Sequence, residues 1–273
     1  MRKDYIPVDD ATFAADETAF VEQFWTKNWQ VHGGGMAVSG LAQREEYAIM
    51  RPFLSRLAPG ARILDGGCGL GEWTVFLGQQ GFDTVGLDLS SETVRILNTR
   101  FPDRTFIQGD IRDTGLPAGS FAACYAWGTF EHFENGLGDC LNEVHRVLAP
   151  GGLLFMTVPY QNWRHILRDA RSLASWDSGF DREQGYRQRH RFYQWRFTRA
   201  ELRRELELRG YRTHLITPTS KDTGVGRWLQ WDLPVLRKGT RAFAIARRIA
   251  SRLLPASYIS HMLMAVAERR PDV

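Results

Sequence analysis

The chain has 273 residues, 43% of them hydrophobic and 24% charged, with 35 Lys and Arg against 31 Asp and Glu for a formal net charge of +4. That is enough apolar material for a substantial core and suits one large domain with insertions at least as well as two small ones, and the ordinary hydrophobic and charged fractions give no indication of disorder. No run approaches the ~20 apolar residues of a membrane-spanning helix, the opening MRKDYIPVDDATFAADE lacks a secretory apolar core, and Cys68, Cys124 and Cys140 form no C-x-x-C pair, so a cytoplasmic chain with no metal site and no disulfide framework is expected.

In chain order, two helices, Glu17 to Trp29 and Leu41 to Leu57, joined by a flexible HGGG at 32–35, are expected to form an N-terminal helical cap over 1–60. From Arg62 the pattern alternates. Short apolar or β-branched runs at Arg62 to Leu64, Thr84 to Leu87, Thr105 to Gln108, Ala122 to Ala126 and Leu153 to Val158 read as strands. Helical patterns at Glu72 to Gln80, Ser91 to Phe101 and Leu137 to Leu148 lie between them, the last closed by APGG. Strands that alternate with helices in this way specify a parallel sheet covered on both faces. After Pro159 the rhythm breaks into a polar, aromatic, Arg-rich insertion at about 160–197. A helix capped by Thr198 and ended by Gly210 follows, then a strand from Tyr211 to Thr217, a second insertion at about 218–257, and a last apolar strand in SHMLMAVAER. The span 61–273 is thus read as a single core with two substrate or lid insertions.

Basic residues gather in both insertions, between Arg182 and Arg204 and from Arg237 to Pro255. On a helical projection of Arg241 to Leu254, Phe243, Ala246, Ile249, Ala250, Leu253 and Leu254 share one side, opposite Arg241, Arg248 and Arg252. Such a helix docks on its own protein as a lid, or lies on an anionic membrane as a peripheral contact on the inner face through 237–255.

The densest signal is ARILDGGCGLGEWTVFL, in which Gly66, Gly67, Gly69 and Gly71 sit between the first core strand and the next helix. Side chains there would block a ligand from the crevice where open α/β sheets bind nucleotides. The spacing is D-x-G-x-G-x-G rather than G-x-G-x-x-G, and the carboxylate of Asp65 would repel a phosphate and suit an amine-bearing or cationic ligand. Asp88, beside Leu89 at the end of the second core strand, is placed to take the hydroxyls of a ribose. Asp110 offers an acceptor for an exocyclic amine, and Ile111 an apolar wall for an adenine face. A ligand with an adenosine, an ammonium group and no phosphate is S-adenosylmethionine.

ILDGGCGLGEWTVFL, VGLDLS, FIQGDIRDTGLPAGSFAACYAWGTFEHF and LNEVHRVLAPGGLLFMTVP resemble, in order and spacing, the successive motifs of class I S-adenosylmethionine-dependent methyltransferases, in the small-molecule (type 11-like) branch. The resemblance covers about 61–159. It implies a Rossmann-like, doubly wound α/β fold with a seven-stranded sheet, mostly parallel, whose antiparallel last strand is inserted between strands five and six. It also implies that Asp65, Gly67, Gly69 and Gly71 line the methionine end of the cofactor, Asp88 the ribose, and Asp110 with Ile111 the adenine, while Ala126 and Trp127 pass close to the methyl donor.

Transfer from an activated sulfonium needs the acceptor held in line, and a base helps where the acceptor is a hydroxyl. His132 and Glu131, in FEHF, are the candidates nearest the expected donor, and His190 in the first insertion is a third. The plain alternative for His132 is a capping or core-packed histidine. Candidate substrate contacts are Tyr160, His165, Tyr186, Arg189, Tyr193 and Trp195. YAWGTFEHF lacks the Asn/Asp-Pro-Pro-aromatic sequence of nucleobase amino-methylases, which argues against a nucleic-acid substrate. The expected function is therefore methyl transfer, at oxygen in preference to nitrogen or carbon, to a small-molecule or lipid- or glycan-linked acceptor. The rivals are a cofactor-binding protein of this fold without methyl transfer, and a nucleic-acid methyltransferase.

Overall fold

A computed structural model describes residues 1–9, 12, 15–31, 38–172, 189–233, 235–236 and 238–271. Among them a seven-stranded sheet is built from β2 (Arg62–Gly66), β3 (Asp83–Asp88), β4 (Thr105–Gln108), β5 (Phe121–Trp127), β6 (Leu148–Pro159), β8 (Tyr211–Thr219) and β9 (Met262–Arg269), in the order β4-β3-β2-β5-β6-β9-β8. β9 runs antiparallel to both its neighbours and the other pairings are parallel. This is the doubly wound sheet, with an inserted antiparallel last strand, that the sequence implies.

Alternation along the strands divides the core. Ile63, Ala123, Tyr125, Leu153 and Phe155 face one side, against Met50 and Leu54 of α2 (Glu45–Leu54) and Trp73, Phe76 and Leu77 of α3 (Glu72–Gln79). Leu64, Cys124, Ala126, Leu154 and Met156 face the other, against Leu141 and Val144 of α5 (Gly138–Val147) and Leu202 and Leu206 of α7 (Arg199–Glu207). A period of two along each strand produces this division, and it leaves the strands apolar on both faces. Helix α4 (Ser91–Arg100) is N-capped by Ser90, and α7 by a reciprocal capping box in which Thr198 and Glu201 exchange hydrogen bonds. All three cysteines are buried thiols.

Three expectations change. The N-terminal segment is not wholly helical. It opens with β1 (Arg2–Val8), and α1 (Glu17–Val31), a short turn at Leu41–Gln43 and α2 follow. β1 pairs antiparallel with β7 (Arg189–Arg196), and with α6 (Trp163–Ser172) this gives the first insertion regular structure at both ends. The second insertion holds α8 (Lys221–Asp232), α9 (Arg241–Leu253) and α10 (Ala256–Ile259). Helix α9 docks on α8 and α10 through Phe243, Ala246, Ala250 and Leu254, which pack with Val225, Leu229 and Ile259. Ile249 and Leu253, placed on the inner side by the projection, are instead 52% and 76% exposed, as Ile245 is at 60%. The docked face is narrower than the apolar arc because α8 covers only part of it.

The junction of α8 and α10 is close enough to exclude any side chain at Gly224, where a Cβ would lie 1.9 Å from the carbonyl oxygen of Ile259. Backbone cannot retreat as a flexible side chain can, so Gly224→Ala is expected to cost about 2 kcal/mol or more. Thermal unfolding should show Tm several degrees lower than wild type; an unchanged Tm would mean that the two helices are free to separate.

Candidate active site

The loop after β2 is fastened to the end of β3. The backbone N–H groups of Gly67 and Cys68 donate to the carbonyl of Leu87 at 2.8 and 2.9 Å, and that of Gly69 donates to Oδ2 of Asp88 at 2.8 Å. Oδ1 of Asp88 accepts from Ser90 N–H at 2.9 Å. Gly69 and Gly71 adopt left-handed backbone, φ +51° and +72°, which lets the chain reverse into α3. This loop sits where the sheet order turns back, β2 having β3 on one side and β5 on the other, which is the position at which open α/β sheets leave a crevice beyond their strand ends.

A cavity of about 680 Å3, counted out to its solvent mouth, occupies that crevice. Gly67, Asp88, Leu89, Asp110, Ile111, Trp127 and His132 line it, so the structure brings together seven of the residues singled out in the sequence. Helix α1 closes it from above with Val21, Glu22, Trp25 and Trp29, and Thr129 joins from the loop after β5. Trp25 and Trp29 stack with ring centroids 5.3 Å apart, and Trp29 lies over Gly69, where a Cβ would meet its ring at 2.8 Å. Helix α1 is held there by Arg112, which donates to Asp110 at 2.7 Å, to Glu17 at 2.6 Å and to Thr18 at 2.9 Å, and by the pair Thr26–Ser90 at 2.7 Å. The sequence expectation did not include these α1 residues in the site; the available signal was two tryptophans four apart on a helix followed by glycines.

Other expected residues lie elsewhere. Asp65 is buried beneath the loop and accepts a 2.6 Å hydrogen bond from the Thr74 hydroxyl of α3, and burial pushes its carboxyl up to about 7. It shares the face of Ile63, towards α3, and does not line the cavity. A Cβ at Gly66 would meet Ile111 at 2.9 Å and one at Gly71 would meet Phe106 at 2.9 Å, so these two glycines make room for the protein's own side chains. Ala126 is in the core, 1% exposed. Arg189 and His190 are exposed on β7 and line neither this cavity nor the one beside it. Trp195 donates from Nε1 to the Phe133 carbonyl at 3.2 Å and packs on the core. Tyr160, His165 and Tyr193 line the neighbouring cavity, and Tyr186 lies outside the described residues.

His132 and Tyr193 meet at the boundary of the two cavities. The His132 ring lies 5.1 Å from Trp25 and 5.1 Å from Tyr193, and its Nδ1 is 2.7 Å from the Tyr193 carbonyl oxygen. A carbonyl only accepts, so Nδ1 carries the proton and the neutral ring leaves Nε2 unprotonated. Burial holds this histidine down at about 4, against the opposing pull of backbone groups at Tyr193 and Gly128, so it is neutral at physiological pH. Glu131, beside it, is 1% exposed; its Oε2 has no hydrogen-bond partner among the described residues, and burial raises it to about 8.

That burial has a stability consequence of definite sign. Between the ordinary 4.5 and about 8 the folded chain keeps a proton on Glu131 that the unfolded chain has released. Stability from this group is therefore full below 4.5 and falls as pH rises through that window. Glu131→Gln should remove the dependence: its urea midpoint should change less than that of wild type between about pH 5 and about pH 8. Parallel curves for the two proteins would place the ionisable group elsewhere.

The chemical character of the first cavity is one-sided. Glu22, Asp88 and Asp110 line it, and no lysine or arginine does so among the described residues. Burial raises the Asp88 carboxyl, opposed by the N–H groups of Ser90 and Gly69. Its two oxygens keep lone pairs beyond those two bonds, which suits paired hydroxyls. Ile111, Leu89 and Trp127 supply apolar walls. The set fits a ligand with sugar hydroxyls, a flat heterocycle and a positive charge, and fits a phosphate poorly.

A family model described as a methyltransferase domain (Methyltransf_23) matches residues 42–216. An uncharacterized methyltransferase of Synechocystis sp. (strain ATCC 27184 / PCC 6803 / Kazusa) is 33% identical over 110 residues, 39% of this chain and 52% of that protein. The malonyl-[acyl-carrier protein] O-methyltransferase of Pectobacterium atrosepticum is 28% identical over 95 residues, 35% of this chain and 37% of that protein. The matches thus span about half or less of these curated relatives. The crystal structure of a putative sarcosine dimethylglycine methyltransferase from Galdieria sulphuraria superposes with a TM-score of 0.58 at 14% identity, covering 94% of this chain and 100% of that one, and shares the fold.

Proposed function

We propose, from the premise that the chain belongs to the methyltransferase-domain family of S-adenosylmethionine-dependent enzymes, that it transfers a methyl group to an oxygen of a small-molecule or lipid- or glycan-linked acceptor. The observation that carries this reading is the acid-lined cavity at the turning point of the sheet, with no lysine or arginine among its described lining residues, which suits an adenosyl sulfonium better than a dinucleotide.

In this reading Asp88 binds the ribose hydroxyls, Leu89 and Ile111 enclose the adenine with Asp110 at its amine, and Gly67, Trp127 and Thr129 border the methionine end. Asp65 and Gly69 act indirectly. Asp65 holds α3 through Thr74, and Gly69 ties the loop to Asp88. The bound cofactor supplies a methyl group already activated on sulfur. The protein's part is positioning, for which orientation alone contributes ~7–11 kcal/mol to the barrier reduction. Trp25 and the α1 helix exclude water from above, and His132 receives the acceptor's proton at Nε2 while Nδ1 stays on the Tyr193 carbonyl. Oxygen is favoured as the acceptor because a neutral imidazole at the cavity edge is useful for a hydroxyl and superfluous for a free amine. The O-methyltransferase relative supports the same choice.

Incubation with methyl-labelled S-adenosylmethionine and a metabolite and lipid extract tests the reading. The expected product is a labelled ester or ether of low molecular mass, or one that partitions with lipid. Binding of the cofactor with no transfer would instead favour the cofactor-binding protein without turnover, and label recovered in nucleic acid would favour the other rival.

A further inference from the structure

A second cavity, of about 710 Å3 with its mouth included, opens between the end of β6, α6, β7 and α8. Its character is opposite to that of the first. Arg164 and Arg196 are buried in it, Arg168 and Arg227 stand exposed at its rim, and His165 and His261 complete a basic lining in which Asp4 is the one carboxylate among the described lining residues. The buried arginines are partly answered from the sides: Arg164 donates from Nε to Asp232 at 2.7 Å, and Arg196 reaches Asp4 at 2.9 Å and Asp169 at 3.5 Å. Arg168 and Arg227 have no carboxylate partner among the described residues. Nη1 of Arg196, on a residue 6% exposed, is buried without a hydrogen-bond acceptor among the described residues.

A buried guanidinium N–H without an acceptor is costly, and chains keep such groups where a ligand completes them. We propose that this cavity binds a phosphoryl group of the methyl acceptor, with Arg196 below it and Arg168 and Arg227 closing on it from the rim. Two guanidinium charges without a carboxylate partner among the described residues, that of Arg227 lying 5.6 Å from the Trp231 ring centroid, match a phosphate dianion, and the planar forks of arginine suit its oxygens. Burial first, with Arg196 next for His165 and Arg227 next for His261, holds the two histidines at about 4 and about 3. They are therefore neutral at physiological pH and add no charge of their own, and the Nδ1–H of His165 is donated to the Tyr160 carbonyl at 3.0 Å. Tyr193 connects the two cavities, since it lines this one while its ring lies 5.1 Å from His132, which lines the other. An acceptor anchored by its phosphate here thus presents its remaining part towards the base. The assignment of the anion to a methyl acceptor rests on the proposed function; the anion site itself does not.

Calorimetric titration of the full chain with inorganic phosphate tests it, alongside S-adenosylhomocysteine as an independent readout of the first cavity. Wild type should bind phosphate saturably, and the double variant Arg168→Ala/Arg227→Ala, altered only at the rim, should bind it about tenfold or more weakly with an unchanged Tm and unchanged S-adenosylhomocysteine affinity. No phosphate binding by wild type, or equal binding by the folded double variant, overturns the proposal. Retention of the phosphate pattern with no S-adenosylhomocysteine binding would sink the methyl-transfer reading and leave this site standing. Vesicles of phosphatidylcholine with and without phosphatidic acid distinguish the sources. Co-sedimentation that requires phosphatidic acid and is lost in the double variant identifies a lipid headgroup, and its absence beside phosphate binding identifies a soluble phosphate ester.

Discussion

Asp88→Ala is expected to weaken S-adenosylhomocysteine binding by about a hundredfold or more, roughly 2.7 kcal/mol. Two losses combine in that figure. The carboxylate is the acceptor in the cavity best placed for paired hydroxyls, and its removal leaves a polar ligand edge unpaired in a half-dry site. Its oxygens also hold Gly69 and Ser90 by their N–H groups, so the glycine loop loses its tie to β3. Asp88→Asn separates the two contributions, because the amide keeps one acceptor oxygen for the loop and offers a donor in place of the second. Its loss should be smaller than that of Ala, with near-wild-type circular dichroism. Gly69→Val, which forces a β-branched side chain into φ +51° and against Trp29, should match Asp88→Ala. A folded Asp88→Ala protein that binds as wild type would remove Asp88 from the site.

The second large effect belongs to His132. Its replacement by Ala should lower kcat by about 10²–10³, within the ~10²–10⁴ of a positioned general base, and leave S-adenosylhomocysteine affinity essentially unchanged. Because the ring also fills space between Trp25 and Tyr193, the stricter comparison is His132→Gln, whose amide donates to the Tyr193 carbonyl without supplying a basic nitrogen. Equal losses in the two variants point to proton transfer; recovery in Gln alone points to packing. The pH profile gives a separate check. A base held at about 4 is already free well below neutrality, so kcat/KM should rise through about pH 4 and be flat across pH 6–8. A rise centred near the ordinary histidine value of 6.5 would mean that the catalytic group is more exposed than His132.

Much of the fold is legible in the sequence because the evidence is local. Five short apolar runs alternate with helical patterns, and each strand carries its own period of two, so the two-faced core follows from residues adjacent in the chain. The acids at the strand tips, Asp88 and Asp110, are legible for the same reason. Asp65 shows the limit of that logic. A residue at a strand end is known from spacing, but which face it takes depends on the pleat, and here the face of Ile63 carries it to Thr74 rather than to the crevice. The glycine loop likewise has two reasons to be bare, ligand access and internal packing, and only neighbours distant in sequence, Phe106 and Ile111, show that Gly66 and Gly71 serve the second.

What was not legible depends on contacts between remote segments. β1 pairs with β7, Arg2 opposite Arg196, and no hairpin turn announces a partner so far along the chain. Helix α1 becomes a roof through contacts with distant segments, Arg112 with Glu17, ninety-five positions apart, and Thr26 with Ser90 among them, and these contacts set Trp25 and Trp29 over the cavity. The basic second cavity gathers Arg164, Arg196 and Arg227 from three elements, and in sequence these read only as a general excess of arginine in the insertions.

The most direct test is a crystal structure of the full chain grown with S-adenosylhomocysteine. Ligand density should fill the crevice beyond β2 and β3 beneath α1, with the ribose hydroxyls on Asp88 and the adenine against Ile111, and with Trp29 displaced from or stacked on the ligand. Density at any other place, or a crevice still closed by Trp29 and Thr129 at saturating ligand, would contradict the assignment.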